Sequence, residues 1–253
     1  MKLFRLSSAV LAFLILGMSA PQQSIKGGHR RIFGIRRLNV QDLGGANCSP
    51  TCTVTIPSTG SGNLLVLVDA SAAIGEHFST VTGAGSWVAA GACHATNTSP
   101  GDDTDIAYNL SSSSGVTSLS ITLSSNDIST DLAYAEYTGE PFTLDGTCQT
   151  TNNGVATTTP QSPAITTTGA RDVVVVGMTV NDSICAASAV TNVQGGGWPS
   201  PATLIFPSGQ GDAYEDNINA PAATYQVQFA QVSGGCPGSP ASVTFSSSVL
   251  AFK

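Results

Sequence analysis

The sequence predicts an all-β protein, an antiparallel β-sandwich or jelly roll, and three observations carry that prediction. It holds 31 Ser and 28 Thr; β-branched and small polar residues suit strands and turns. Short alternating or apolar runs recur between Gly, Pro, Asn, Asp and Ser punctuation. No stretch after Gly44 keeps a capped 3.6-residue period. Two pseudo-repeated halves sharing one core are expected within that sandwich.

The elements follow in order. Lys2 and Arg5, the apolar Leu6–Leu16 and the small residues around Ser19 and Ala20 read as a signal peptide over 1–20. The apolar run is shorter than the roughly 20 residues that span a bilayer, and no later segment is apolar for long enough. Secretion to the extracellular space or cell surface, without a transmembrane span, is the expectation. Residues 21–44 form a basic, flexible leader, and 45–253 the sandwich. Thr53–Ile56 alternates before the turn Pro57–Gly62, and Leu64–Val68 is continuously apolar, as a strand covered on both faces would be. Leu119–Leu123 alternates, and in Leu132–Tyr137 the residue Glu136 shares its face with Leu132 and Tyr134. Val173–Val180, Thr224–Phe229, Val243–Phe245 and Val249–Phe252 complete the strand candidates.

The halves repeat at an offset of 109. Leu64–Val68 matches Val173–Val176, and Ser79–Thr82 matches Ser188–Thr191; each of the latter leads through a Gly-rich turn to one of the two tryptophans, Trp87 and Trp198. Asp102 ahead of Tyr108 is matched by Asp212 ahead of Tyr214. Gly62-Asn63-Leu64-Leu65-Val66, Glu136-Tyr137-Thr138-Gly139 with Leu144-Asp145, and the final Ala251-Phe252-Lys253 resemble signatures of secreted bacterial β-sandwich proteins of undefined function. Over about Gly60 to Lys253 that resemblance implies a fold and no site. The extra cysteines and the basic leader depart from it.

Charge is segregated. Seven of nine basic residues precede Leu38, whereas from Asn39 onward two basic residues face all sixteen acidic ones, a formal charge of −14. Such a body is expected to repel phosphate backbones, which argues against nucleic acid as a partner. The leader is expected to be solvated, or to tether to anionic envelope material or to the protein's own acidic body. Six cysteines in an exported chain suit disulfides. Cys48 and Cys52 close a local loop; Cys93, Cys148, Cys185 and Cys236 allow three pairings, of which Cys93–Cys148 with Cys185–Cys236, one bridge in each half, is favoured.

No catalytic constellation stands out. There is no GxSxG elbow, and His77 and His94 lack a triad context. Glu136 beside tyrosine is a candidate acid or base for a polysaccharide hydrolase. Asp102, Asp103 and Asp105 are candidate ligands of a structural calcium ion, echoed by Asp212, Glu215 and Asp216; no other cofactor is indicated. Trp87, Trp198, Tyr108, Tyr214 and Glu136 are candidate glycan-binding residues, since a flat ring covers the apolar face of a sugar. The leading expectation is a non-enzymatic protein for surface attachment, envelope association or glycan binding. The alternatives are an extracellular hydrolase and a self-associating structural subunit docked through its leader.

Overall fold

A computed structural model describes residues 34–45, 48, 50–71, 73–98, 101–125, 130–139, 141–181, 190–195, 213–231 and 243–253. Among them there is no helix. Fifteen strands run in chain order: β1 Arg36–Gly45, β2 Thr51–Thr55, β3 Leu64–Ser71, β4 Phe78–Thr82, β5 His94–Asn97, β6 Asp102–Asn109, β7 Ser118–Leu123, β8 Thr130–Thr138, β9 Gln149–Thr157, β10 Ile165–Thr166, β11 Asp172–Asn181, β12 Val190–Gly195, β13 Ala213–Ala220, β14 Thr224–Gln231 and β15 Val243–Phe252. All named pairings are antiparallel.

The strands make two inner sheets, β1-β8-β3-β6-β5 and β13-β11-β15-β9, and two outer sheets, β2-β7-β4 and β10-β14-β12. Alternation along β3 explains how they stack. Leu64, Val66 and Val68 meet Val173, Val175, Leu250 and Phe252 of the second inner sheet, while Leu65 and Leu67 pack on Val54, Leu119 and Ile121 of the first outer sheet. On β11, Val174, Val176 and Met178 turn away from the centre to Ile165, Tyr225 and Val227 of the second outer sheet. The expected sandwich is therefore a stack of four sheets with three apolar layers. The inner strands are continuously apolar because both their faces are covered.

The duplication is visible in the topology. The order β1-β8-β3-β6 over β2-β7-β4 recurs as β9-β15-β11-β13 over β10-β14-β12, with β5 as the added edge. At an offset of 109, Leu64 and Val66 become Val173 and Val175, which face the same central layer. The tyrosine match does not survive. Val66 stands opposite Tyr108 and Val175 opposite Asp216, so the counterpart of Tyr108 is Asp216 and not Tyr214.

Other expectations change. Residues 36–44, expected within a flexible leader, are strand β1, paired with β8 through two register shifts. The Asp102–Asp105 run, which supplies the candidate calcium ligands and is absent from the strand candidates, begins the fully buried β6. Val243–Phe245 and Val249–Phe252 are one strand, because Ser246, Ser247 and Ser248 between them are buried; Ser247 donates to Gly177 O at 2.7 Å and Ser248 to Thr104 O at 3.0 Å.

Both margins of the central layer are fastened across the halves. At one, Cys93–Cys148 forms a disulfide and Asn152 Nδ2 donates to Thr96 O at 2.7 Å. That bridge has the favoured pairing but joins the segment before β5 to the segment before β9, rather than lying in one half. At the other, Asn219 exchanges two 2.8 Å hydrogen bonds with the Ile35 backbone, and Arg37 pairs with Asp216. Cys48–Cys52 closes its local loop; Cys185 and Cys236 lie outside the described residues.

Candidate functional site

The acidic residues are inside the protein. Of the twelve that are described, eleven are buried and Asp42 is half-buried. Among the described residues the expected acidic surface therefore shows no fully exposed carboxylate. Strand geometry forces this arrangement: β6 and β13 are laid against β3 and β11, so their side chains alternate between two covered faces.

That alternation divides the candidate calcium ligands. Asp102 shares a face with Thr104, whose hydroxyl meets Thr179 and Ser246 of the second inner sheet at 3.0 Å each. Asp103 and Asp105 point to the opposite side. Asp103 accepts from the Glu76 N–H at 2.8 Å, and Asp105 from the Phe78 and Ile106 N–H groups at 2.9 Å each. Among the described residues no group of three or more His, Cys, Asp or Glu could hold a metal ion. Burial raises Asp105, against its backbone donors and His94. His94 is pulled down by burial, but its bond to Asp103 and the charges of Asp103 and Asp105 leave it raised overall. Asp103 and Thr96 both meet the same ring nitrogen, Nε2, at 3.2 and 3.0 Å. His94 therefore cannot relay a proton from a hydroxyl to a carboxylate across its ring, as a triad requires. Glu76 accepts from Ser125 and Thr130, which fixes the turn above this cluster.

Glu136 is fully buried. Oε1 accepts from Gly60 N at 2.8 Å and Asn63 Nδ2 at 2.6 Å, and Oε2 from Asn39 Nδ2 at 2.7 Å. Three donors, one from β1 and two from the turn that leads into β3, thus converge on one carboxylate, which makes it a strut rather than an accessible acid, base or ligand contact. The last residue of the other signature acts similarly: Lys253 Nζ meets Asp145 Oδ1 at 3.0 Å.

The tyrosine candidates are also internal. Tyr108 packs edge-on to Phe252, ring centroids 5.3 Å apart. Tyr214 donates to Tyr137, which donates to Asp216 Oδ2 at 2.6 Å. Burial raises both phenols, and it raises Asp216 against the opposing pull of Tyr137 and Arg37. Arg37, a leader residue by sequence, thus docks on the protein's own acidic interior. Trp87 alone keeps a half-exposed ring, and its Nε1–H is tied to Gly83 O at 2.7 Å. Trp198 and Asp212 lie outside the described residues.

What remains outward is hydroxyl. On the first outer sheet Thr51, Thr122 and Thr80 form one cross-strand rank, Thr53, Ser120 and Thr82 a second, and Thr55 and Ser118 a third. All eight are exposed or half-exposed, and the apolar residues between them face inward. Strand geometry spaces such ranks about 6.8 Å apart along the chains and about 4.8 Å across them. Thr51 and Thr122 hydroxyls are bonded at 3.0 Å. Gly83 follows Thr82 directly, so Trp87, packed in part on the apolar layer beneath this sheet, is anchored where β4 ends. Sequence reasoning passed over the ranks, though the Thr-x-Thr and Ser-x-Ser alternation was there to find them.

No family model matches the chain, and no curated protein does. Among solved structures, a chain from the atomic structure of Sulfolobus Turreted Icosahedral Virus aligns over 86% of this chain and 90% of its own, with 9% sequence identity and a TM-score of 0.29.

Proposed function

We propose that this is a secreted, non-enzymatic β-sandwich protein that attaches to neutral polysaccharide through the outer face of β2-β7-β4. The observation that carries the reading is the charge-free, in-register hydroxyl array with Trp87 at its end. A neutral polymer of hydroxyl groups matches such a face in both polarity and flatness, and the half-exposed Trp87 ring, packed on the core by one side and with its N–H already satisfied, offers a sugar its remaining surface. Two disulfides support an oxidising environment, and among the described residues no helix is long and apolar enough to cross a membrane. Engagement of Glu136, Asp103 and His94 in structural hydrogen bonds speaks against the hydrolase alternative.

The test is retention of the full chain on insoluble cellulose, chitin and xylan against anionic alginate. Retention on a neutral polymer is expected, falling at least tenfold on combining Trp87→Ala with Thr53→Glu, a change of about 1.4 kcal/mol or more. Equal retention of both proteins, or turnover of the polymer, overturns the proposal.

A further inference from the structure

The two halves open their central strands with the same turn, Gly60-Ser61-Gly62-Asn63 before Leu64 and Gly169-Ala170-Arg171-Asp172 before Val173. In each, the fourth side chain folds back over the first residue. A Cβ on Gly60 would lie 2.3 Å from Asn63 Nδ2, and one on Gly169 would lie 1.9 Å from Asp172 Oδ1. In each, the glycine N–H donates to a buried carboxylate: Gly60 to Glu136 Oε1 at 2.8 Å, Gly169 to Asp145 Oδ2 at 3.0 Å. The carboxylates reach the same place by different routes. Glu136 stands opposite Leu65. Its topological counterpart, opposite Val174, is Ala251, and Asp145 is bound beside that position by a 2.9 Å bond from its N–H to Ala251 O.

One chemical difference remains. Asn63 donates an amide hydrogen to Glu136 at 2.6 Å, whereas a carboxyl group donates only when it carries a proton. We infer that the turn clasp of the second half is a proton-dependent version of the first: Asp172 must be protonated to do for Asp145 what Asn63 does permanently for Glu136, so rising pH loosens the anchorage of β11 and Lys253.

The surroundings fit that division of roles. Burial works against ionisation of Asp145, but the Thr168 hydroxyl at 2.6 Å, the Thr168 and Gly169 N–H groups and Lys253 Nζ hold it well below the usual carboxylate range. Both carboxyl oxygens of Asp172 are buried with no hydrogen-bond donor on them among the described residues, because the Thr167 hydroxyl is turned to Pro221 O and Ala223 O and the Gly169 N–H to Asp145; burial first, and then the Asp145 charge, raise Asp172 from 3.8 to about 6. From β14, Tyr225 donates to Pro221 O at 2.6 Å and is itself raised by burial and by Asp172. On β13 the residue opposite Asp172 is the uncharged Ala220, and the adjoining Arg171 is exposed. For a carboxyl raised on folding, the contribution is fully present below the unfolded value and is lost as pH climbs through the folded one. The window here runs from about 4 to about 6 and beyond.

The experiment compares the full chain with Asp172→Asn and with the reciprocal Asn63→Asp, by melting temperature from pH 4 to 8 and by hydrogen exchange corrected for intrinsic rates. Asp172→Asn is expected to remove the melting step centred near pH 6 and to raise protection of the Thr168 and Gly169 amides at pH 8 by about tenfold or more. Asn63→Asp is expected to add a corresponding step, with protection lost at the Gly60 amide. Buried Asp105, Asp216 and His94 titrate alike in wild type and Asp172→Asn, so the difference between those two isolates the clasp. An unchanged pH step and unchanged protection in Asp172→Asn overturn the inference. Should that variant not fold, carboxyl carbon titration of Asp172 in the wild type decides: a midpoint near 6 supports the clasp, and one at or below 4 overturns it.

Discussion

Glu136→Ala is the substitution whose cost can be worked most directly. It strips the acceptor from Asn39 Nδ2, Gly60 N and Asn63 Nδ2 at once, around a carboxylate with no exposure whose Asn39 and Gly60 donors are half-buried. Each buried donor left unsatisfied costs about 1–3 kcal/mol, partly offset because a desolvated carboxylate is removed with them. A net loss of about 4 kcal/mol follows, within the range for breaking a buried charged network. In a unit of this size that lowers Tm by roughly 10 °C. Glu136→Gln differs in kind. Its carbonyl keeps the bonds from Gly60 and Asn63, and Asn39 can turn its amide to present oxygen to the new NH2 group. Only the charge assistance is lost, about 1 kcal/mol. Thermal melting of both variants by near-UV circular dichroism, with polysaccharide turnover measured in parallel, checks the reasoning. Equal destabilisation by Gln and Ala, or loss of a hydrolytic activity in Gln without loss of stability, would refute the assignment of Glu136 as a strut.

Two further outcomes follow from the margins of the central layer. Replacing Cys93 and Cys148 together by Ala removes a crosslink spanning 55 residues; chain entropy puts the loss at about 4 kcal/mol, read as a lower urea midpoint than in wild type. Arg37→Ala leaves Asp216 buried without its cation, and because the Arg37 side chain is 26% exposed the expected loss at neutral pH is discounted to about 2 kcal/mol. Burial already raises Asp216 and removing Arg37 raises it further, so the variant's deficit should shrink as pH falls and the carboxyl takes up its proton; a gap in Tm that is constant from pH 4 to 8 contradicts this.

The sequence exposes those strands whose partners are apolar on the face it can display. Leu64–Val68, Leu119–Leu123 and Val173–Val180 are read correctly because hydrophobic order alone specifies them. Asp102–Asn109 and Ala213–Ala220 are not, because Asp103, Asp105 and Asp216 are satisfied by turns and strands distant in the chain; to a local reading they are solvated loops. Ser246–Ser248 looks like a break for the same reason, although those hydroxyls bond Gly177 and Thr104 from within a strand. The face of Glu136 is legible from parity with Leu132 and Tyr134, but its role is not, because Asn39 comes from a stretch that Arg36 and Arg37 mark as leader. The 109-residue offset finds β3 and β11 and then slips by one at β6 and β13, where Tyr108 corresponds to Asp216 and the match to Tyr214 falls two residues short, because the two halves keep different spacings between their corresponding strands.

Composition and surface therefore point in opposite directions. A formal charge of −14 from Asn39 onward suggests a polyanion whose association salt should control. Salt screens exposed charges over about 10 Å at 0.1 M but acts far less on buried ones, and the described carboxylates are in the interior. Protons act on such groups by changing whether they are charged at all, and burial holds Asp105, Asp172 and Asp216 above their ordinary values. The acidity of this chain thus couples its stability to pH rather than its surface to ions, and leaves an outer face of Thr and Ser on which a neutral partner meets no repulsion.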